Sequence, residues 1–221
     1  HIKRYLSKDI ELKDITDDQV VFGLFGPKSR DLIKTISKDN FDNDDFKFGT
    51  AKYITIENVE IWAQRLSYVG ELGYELYVDI KDAKKIYELL IEKGKDFNLS
   101  NCGMHAMDIM RMESGFLHWG HDISPEENQY QAGLSFTISK KKDVDFIGKQ
   151  ALEKIKKEKI KNKFAMFTLK ESEPGKPLLL HDEPIYIDDK IIGRSTSGNY
   201  SFNFKKNLIF GYIQNDFTDD E

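Results

Sequence analysis

The stretch SYVGELGYELYV, residues 67–78, places a carboxylate on a tight bend directly before an alternating segment. Glu71 lies between two glycines, and glycine lets another group approach the backbone closely. From Gly73 onward apolar and polar residues alternate, which is typical of a strand with one buried face. The residues predicted for that buried face are Tyr74, Leu76 and Val78, with Glu75, Tyr77 and Asp79 on the other face.

The segments on both sides of this stretch alternate between strand-like and helix-like patterns. Residues 20–25 predict a buried strand that leads through Pro27 into a helix. AKYITIE and VEIWAQRLSY predict a hairpin around Asn58. KDAKKIYELLIEKG and CGMHAMDIMRMESG predict helices closed by Gly94 and Gly115. The fold class is therefore α+β, a mixed or antiparallel sheet with flanking helices.

The pattern changes in the C-terminal third of the chain. DFIGKQALEKIKKEKIKNK predicts a lysine-rich connecting helix. From Phe164 onward four short β-rich segments are separated by turn signals, which favours a small C-terminal β-barrel. We predict a first domain at 1–145, a connecting helix at 146–162 and a truncated barrel at 163–221.

Composition excludes several classes of protein. The chain has 221 residues and a net charge of −5, so nucleic acid is not an expected partner. Cys102 is the only cysteine, which rules out an intrachain disulfide and a cysteine zinc site. No apolar run approaches a membrane span, and no signal peptide opens the sequence. We expect a cytoplasmic protein, or a mitochondrial matrix protein in a eukaryote, and a fragment of a longer chain.

The common chemical motifs are missing from the sequence. His118 and His121 stand as H-W-G-H, but Gly120 favours a loop and no third ligand lies nearby in sequence, so no metal site is predicted. GLFGPKSR lacks the spacing of a phosphate loop, and no G-x-G-x-x-G is present. No serine, cysteine or threonine has a recognisable activating context.

Two clusters carry a binding hypothesis. An exposed turn acid is the simpler interpretation of Glu71, but a carboxylate can also accept two parallel N–H donors, such as those on the edge of a pterin. Tyr68 would then supply a flat wall. Arg111 and Trp119 could hold a ligand carbonyl and stack on a ring, or form an ion pair and a core aromatic residue.

Five segments, in the same order, resemble the aminomethyltransferase family, typified by the glycine-cleavage T protein. They are GPKSRDLI, SYVGELGYELYV, GMHAMDIMRMESGFLHWGHDI, QAGLSFTISKKKDVDFIGKQAL and GRSTSGNYS. HWGHDI and DEPIYIDDKIIGRSTSGNYS are most similar to the folate-binding C-terminal half of dimethylglycine and sarcosine dehydrogenases.

The resemblance implies transfer of an aminomethyl or methylene unit to tetrahydrofolate in glycine, dimethylglycine or sarcosine catabolism. It implies an amine substrate, a lipoyl carrier protein as partner in the T-protein case, and FAD only in a domain upstream of this sequence. Glu71 would bind the pterin edge, Tyr68 would line the pocket, Arg111 would lie near the folate, Trp119 would stack, and Arg65 would orient the site.

The catalytic aspartate of the family lies in an N-terminal G-G-x-x-D region that this sequence does not contain. We therefore expect no catalytic residue here and no activity from this chain alone.

Three other kinds of protein related to this family remain as alternatives. HWGHDI, and Val69 in place of the usual threonine, argue against a stand-alone aminomethyltransferase. Non-catalytic folate-binding relatives carry K-G-C-Y-x-G-Q-E, whereas RLSYVGELGYE has neither the cysteine nor the glutamine. A folate-dependent demethylase of a sulfonium or methoxy donor is a third alternative.

Overall fold

The computed structural model describes residues 2–139 and 144–217 and divides into two compact units, His1–Cys102 and Gly103–Glu221. By packing, the helix that begins at Met104 groups with the C-terminal strands and not with the first sheet. The domain bounds predicted above rest on sequence pattern and not on packing. They stay a prediction: 1–145, 146–162 and 163–221.

The first unit is a four-stranded antiparallel sheet with two helices. Its strand order is β1-β4-β3-β2, so the alternating strand of the opening stretch, β4, lies inside the sheet. The elements are β1 (Gln19–Phe25), α1 (Ser29–Ile36), β2 (Ala51–Ile56), β3 (Val59–Gln64), β4 (Gly73–Asp79) and α2 (Ile80–Gly94).

The core of the first unit lies on one face of this sheet. Tyr74, Leu76 and Val78 are fully buried there, which confirms the predicted alternation of β4. Both helices pack on the same face, through Leu32 and Ile33 of α1 and through residues of α2. Each fully buried aliphatic side chain stabilises the fold by about 1.5–3 kcal/mol. Since α1 and α2 both cover this face, neither of them covers the opposite face of the sheet.

Turns and caps of the first unit follow the sequence signals. A two-residue loop joins β2 to β3, with Glu57 at φ +52 before Asn58, so the predicted hairpin is confirmed. Asp79 caps α2 by accepting a hydrogen bond from the Lys81 backbone at 3.1 Å. The helix ends at Gly94 as predicted.

The second unit contains a second four-stranded antiparallel sheet, of order β5-β8-β7-β6. The predicted C-terminal strands are confirmed, and their small core combines Met112 of α3 with Leu208 and Phe210 of β8. The elements are α3 (Met104–Glu113), α4 (Lys149–Ile155), β5 (Asn162–Thr168), β6 (Pro184–Ile187), β7 (Lys190–Ser201) and β8 (Lys206–Gln214).

The lysine-rich helix α4 is shorter than the pattern predicted. Helical structure covers Lys149–Ile155 and ends well before residue 162. Lys154, Lys157 and Lys161 would share one face of a longer helix, and like charges at this spacing destabilise it. Across the residues that the structure describes, no helix combines the length and apolarity needed to cross a bilayer.

Candidate functional site

The sheet of the first unit presents a row of aromatic side chains on the face opposite its core. Register places Val21 opposite Tyr77, Tyr77 opposite Trp62, and Trp62 opposite Tyr53. A second row on the same face pairs Glu75 with Gln64. We call this surface the aromatic face, defined by Val21, Tyr53, Trp62, Gln64, Glu75 and Tyr77.

Much of the aromatic face is accessible to solvent. Val21 is 50% exposed and Tyr53 is 62% exposed. The rings of Tyr53 and Trp62 meet edge-on at 4.8 Å between centroids, so they form a continuous surface. Contiguous exposed apolar side chains mark binding surfaces more often than isolated ones do.

Glu75 is the carboxylate of the aromatic face. It is half-buried, and its Oε2 accepts a hydrogen bond from the Tyr77 hydroxyl at 3.0 Å. Burial, and then the hydrogen bond to Glu75, raise the pKa of the Tyr77 phenol above its usual value. The phenol therefore stays a neutral donor near neutral pH and fixes one carboxylate oxygen of Glu75. Among the described residues the side chain of Glu75 makes no other hydrogen bond.

Glu71 has a different environment. The preceding Gly70 adopts φ +73, a left-handed conformation that glycine accepts at little cost. The Glu71 side chain is exposed and makes no hydrogen bond or ion pair within residues 2–139 and 144–217. It can accept donors, but no neighbouring group orients it. The sequence hypothesis singled out Glu71 and missed Glu75, because the partners of Glu75 on β1 and β3 become visible only with the register.

Arg65 and Tyr68 lie between β3 and β4. Tyr68 is half-buried. Arg65 is tied to the loop before β2, since its Nη1 donates to the Phe46 carbonyl at 2.5 Å and its backbone bonds to that of Thr50. Its Nε is buried without a hydrogen-bond partner among the described residues. An acceptor supplied by water or a ligand would remove the cost of about 1–3 kcal/mol for such a donor.

Arg111 lies at the centre of the second unit and is 1% exposed. Its Nε donates to Asp108 at 2.7 Å, its Nη2 to the Ser197 hydroxyl at 2.8 Å, and its Nη1 to the Phe116 carbonyl at 3.0 Å and to Asp122. Every nitrogen of the guanidinium therefore faces a protein group. This arrangement favours the ion pair over the predicted contact with folate, which stays untested.

Asp122 is the partner that sequence reasoning missed. Its buried carboxylate accepts hydrogen bonds from Thr196 at 2.6 Å, from Ser197 at 2.7 Å and from the His118 backbone at 2.9 Å, besides the ion pair with Arg111. Both HWGHDI and GRSTSGNYS were recognised as motifs. Nothing in the sequence shows that their side chains meet, since Asp122 and Thr196 are separated by 74 residues.

Trp119 is 65% exposed, so the alternative of a core tryptophan is wrong. Gly120 adopts φ +90 and bonds to the Ile123 carbonyl at 2.8 Å, which forms the predicted loop. The rings of His118 and His121 lie 4.6 Å apart. In the part of the chain that the structure describes, no three histidine, cysteine or carboxylate side chains are grouped to hold a metal ion.

Comparison with known families now places the chain. Residues 1–142 match the family described as GCVT N-terminal domain, and residues 162–221 match the glycine cleavage T-protein C-terminal barrel domain. The chain belongs to the glycine cleavage T-protein family. The family resemblance stated from the motifs is thereby confirmed.

Curated relatives of this T-protein family member are of two kinds. It is 35% identical to human mitochondrial dimethylglycine dehydrogenase over 93% of its own length and 23% of that protein. It is 37% identical to the 4-methylaminobutanoate oxidase of Paenarthrobacter nicotinovorans over 85% of its length and 22% of that protein. It is 34% identical to the aminomethyltransferase of Halothermothrix orenii over 93% of its length and 56% of that protein. The chain thus spans about a quarter to about half of these relatives.

A solved structure supports the fold. The aminomethyltransferase T of the glycine cleavage system from Bartonella henselae has a TM-score of 0.75 to this chain at 22% identity, over 90% of this chain and 52% of that one. The predicted α+β class followed by a T-protein barrel domain is confirmed.

Proposed function

We propose that this chain is the tetrahydrofolate-binding part of an enzyme that transfers an aminomethyl or methylene unit from an amine. Membership of the T-protein family supports the reaction class. The aromatic face is the observation that carries the proposal at the level of residues. It combines a half-buried carboxylate and an amide with flat side chains on a rigid sheet.

The donors and acceptors of the aromatic face fit a pterin. The pyrimidinone edge offers an exocyclic amine beside a ring N–H, and a carboxylate accepts two such parallel donors. Glu75 has one oxygen fixed by Tyr77, so its orientation is set before a ligand arrives. Gln64, directly opposite, can donate to the adjacent ring carbonyl. Trp62 and Tyr77 supply ring faces beside these polar groups.

Tetrahydrofolate, when bound, supplies amine nitrogens that accept the one-carbon unit. The residues of this chain would hold and orient it and would exclude water through the aromatic row. Glu71, Tyr68, Arg65 and Trp119 stay predicted contacts of the same ligand.

The amine donor and the setting of the enzyme are also proposals. Relatives named dimethylglycine and sarcosine dehydrogenase favour a small N-methylated amino acid as the donor. For such a dehydrogenase we propose FAD in a separate domain of the whole enzyme. Relatives named aminomethyltransferase favour an aminomethyl group on a lipoyl carrier protein. The mitochondrial location in the names of the dehydrogenases supports the matrix for a eukaryotic protein, and the cytoplasm is proposed for a bacterial one.

The test is calorimetric titration of 5-formyltetrahydrofolate, a stable reduced folate, into the chain and into any longer gene product that contains it. Glu75→Gln keeps size and removes charge, and Glu71→Gln makes the same change at the other predicted carboxylate contact, four residues away. We expect the Glu75 variant to bind about 10- to 100-fold more weakly, since a hydrogen bond to a charged group contributes about 1.5–3 kcal/mol. If this chain and the longer gene product are both folded and neither binds reduced folate, the proposal is contradicted.

A further inference from the structure

Two glycines of the first sheet lie under one aromatic ring. A Cβ added to Gly23 would lie 2.6 Å from Cε2 of Phe25, and a Cβ added to Gly73 would lie closer still to Cδ1 of the same ring. Real Cβ atoms essentially never come within 3.0 Å of a non-bonded heavy atom of another residue. The contacts involve opposite edges of the ring, so the ring of Phe25 extends over both glycines, one on β1 and one on β4.

The register places this ring beside the polar part of the aromatic face. Phe25 is directly opposite Gly73, and Gly23 is directly opposite Glu75. Successive side chains of a strand point to opposite faces, and Leu24 and Tyr74 point into the core. These four residues on either side of them therefore belong to the solvent-facing side of the sheet. Glu75 therefore has no side chain opposite it on β1, and the Phe25 ring occupies the diagonal position.

Open space lies next to the same ring. Phe25 borders a cavity of about 410 Å³ together with Pro27, Phe97 and Leu99. Leu24 and Leu32 of the core also line this cavity, so it is not enclosed by the aromatic face that carries Glu75. The ring of Phe25 is itself only half-buried, so part of it can still contact a ligand.

We propose that Phe25 is a stacking residue for the planar ring whose polar edge Glu75 receives. This inference rests on the proposed function and adds a specificity-determining residue to it. The two glycines keep the ring against the sheet, where its position is fixed by backbone instead of by mobile side chains. The ligand class that fits is a flat, nitrogen-rich heteroaromatic ring with adjacent N–H donors, as in the pyrimidinone half of a reduced pterin.

The position of the ring can be changed in two independent ways. Phe25→Leu removes the aromatic ring, and Gly73→Ala displaces it by placing a methyl group where the ring edge lies. Because both changes act on the same contact, their effects on affinity should not add in the double variant. Phe25→Tyr keeps a flat ring and should restore most of the affinity. Phe202→Leu, the same change at an exposed phenylalanine of the second unit, is the matched control.

The experiment titrates 5-formyltetrahydrofolate and, separately, p-aminobenzoylglutamate, which lacks the pterin ring, into each folded variant. We expect Phe25→Leu and Gly73→Ala each to weaken folate binding roughly three- to tenfold, the effect of one aromatic pair, and the double variant to lose no more than the worse single one. Binding of p-aminobenzoylglutamate should not change.

Three outcomes overturn the inference: full folate affinity in Phe25→Leu, additive losses in the double variant, or equal losses for both ligands. The first of these leaves the proposed function intact as long as the unaltered protein binds folate. No folate binding by the unaltered protein instead removes the proposed function, on which this inference depends. Thermal unfolding of each variant separates a lost contact from a lost fold.

Discussion

Both units contain charged side chains, Glu75 on the aromatic face of the first and the Arg111–Asp122 pair in the second. The two places differ in how deeply the charges are buried and in how many hydrogen-bond partners they have. Asp122 is buried with hydrogen bonds from four partners, and Arg111 directs every nitrogen at protein groups. Glu75 is half-buried, and within residues 2–139 and 144–217 its side chain has one hydrogen-bond partner, Tyr77. A buried charge with complete partners holds a fold together, whereas an oriented, partly accessible charge keeps capacity for a ligand.

The largest expected effect is the loss of unfolding free energy when the Arg111–Asp122 ion pair is broken. Arg111→Met would leave the buried carboxylate of Asp122 without its counter-charge, and breaking such a pair costs about 3–5 kcal/mol. Urea unfolding should show this loss of unfolding free energy. Lys159→Met is the control, because its ion pair with Asp216 is exposed and contributes at most about 1 kcal/mol. Similar losses in the two variants would show that Arg111 is not a structural centre.

Alkaline pH should lower the free energy of unfolding because it deprotonates two tyrosines. Burial raises the pKa of Tyr77 and, more strongly, that of Tyr212, whose hydroxyl donates to the Asp122 carbonyl at 2.9 Å. A raised pKa means that the folded state keeps the proton, so this stability is complete below the unfolded tyrosine pKa, about 10, and is lost as pH rises above it. Each group contributes a slope of up to about 1.4 kcal/mol per pH unit.

Tyr212→Phe tests that slope. Urea unfolding at several values between about pH 8 and pH 11 should give a flatter decline in the variant than in the unaltered protein. The lost hydrogen bond lowers stability equally at all pH values, so only the slope reports on the phenol. Parallel curves for the two proteins would show that Tyr212 titrates alike in the folded and unfolded states.

The smallest effect on stability is expected at Trp119. It is 65% exposed, so Trp119→Ala should change the unfolding free energy by no more than about 0.5 kcal/mol. Any fall in folate affinity in this variant would then come from a lost contact with the ligand and would support its predicted stacking role. A large loss of stability would mean that the loop depends on the indole ring.

The sequence predicted the secondary-structure elements better than it predicted which side chains contact one another. The alternation in β4 correctly assigned Tyr74 to the core, because a period of two is a local property. The choice of Glu71 over Glu75 rested on the bend and its glycines, while the environment of Glu75 comes from strands about 11 and about 50 residues away. For Arg111 the sequence left both a ligand contact and an ion pair open, and the fold supplied the ion-pair partner, Asp122. Long-range register and burial decide which charged groups remain accessible.

The measurement that tests the account most directly compares reduced-folate affinity in Glu75→Gln and Glu71→Gln. The account predicts a loss of about 10- to 100-fold for Glu75→Gln and a clearly smaller one for Glu71→Gln, because only Glu75 is oriented on the aromatic face. The reverse order would return the pterin contact to the bend between Gly70 and Gly73. Full affinity in both variants would contradict the assignment of the aromatic face as the folate site.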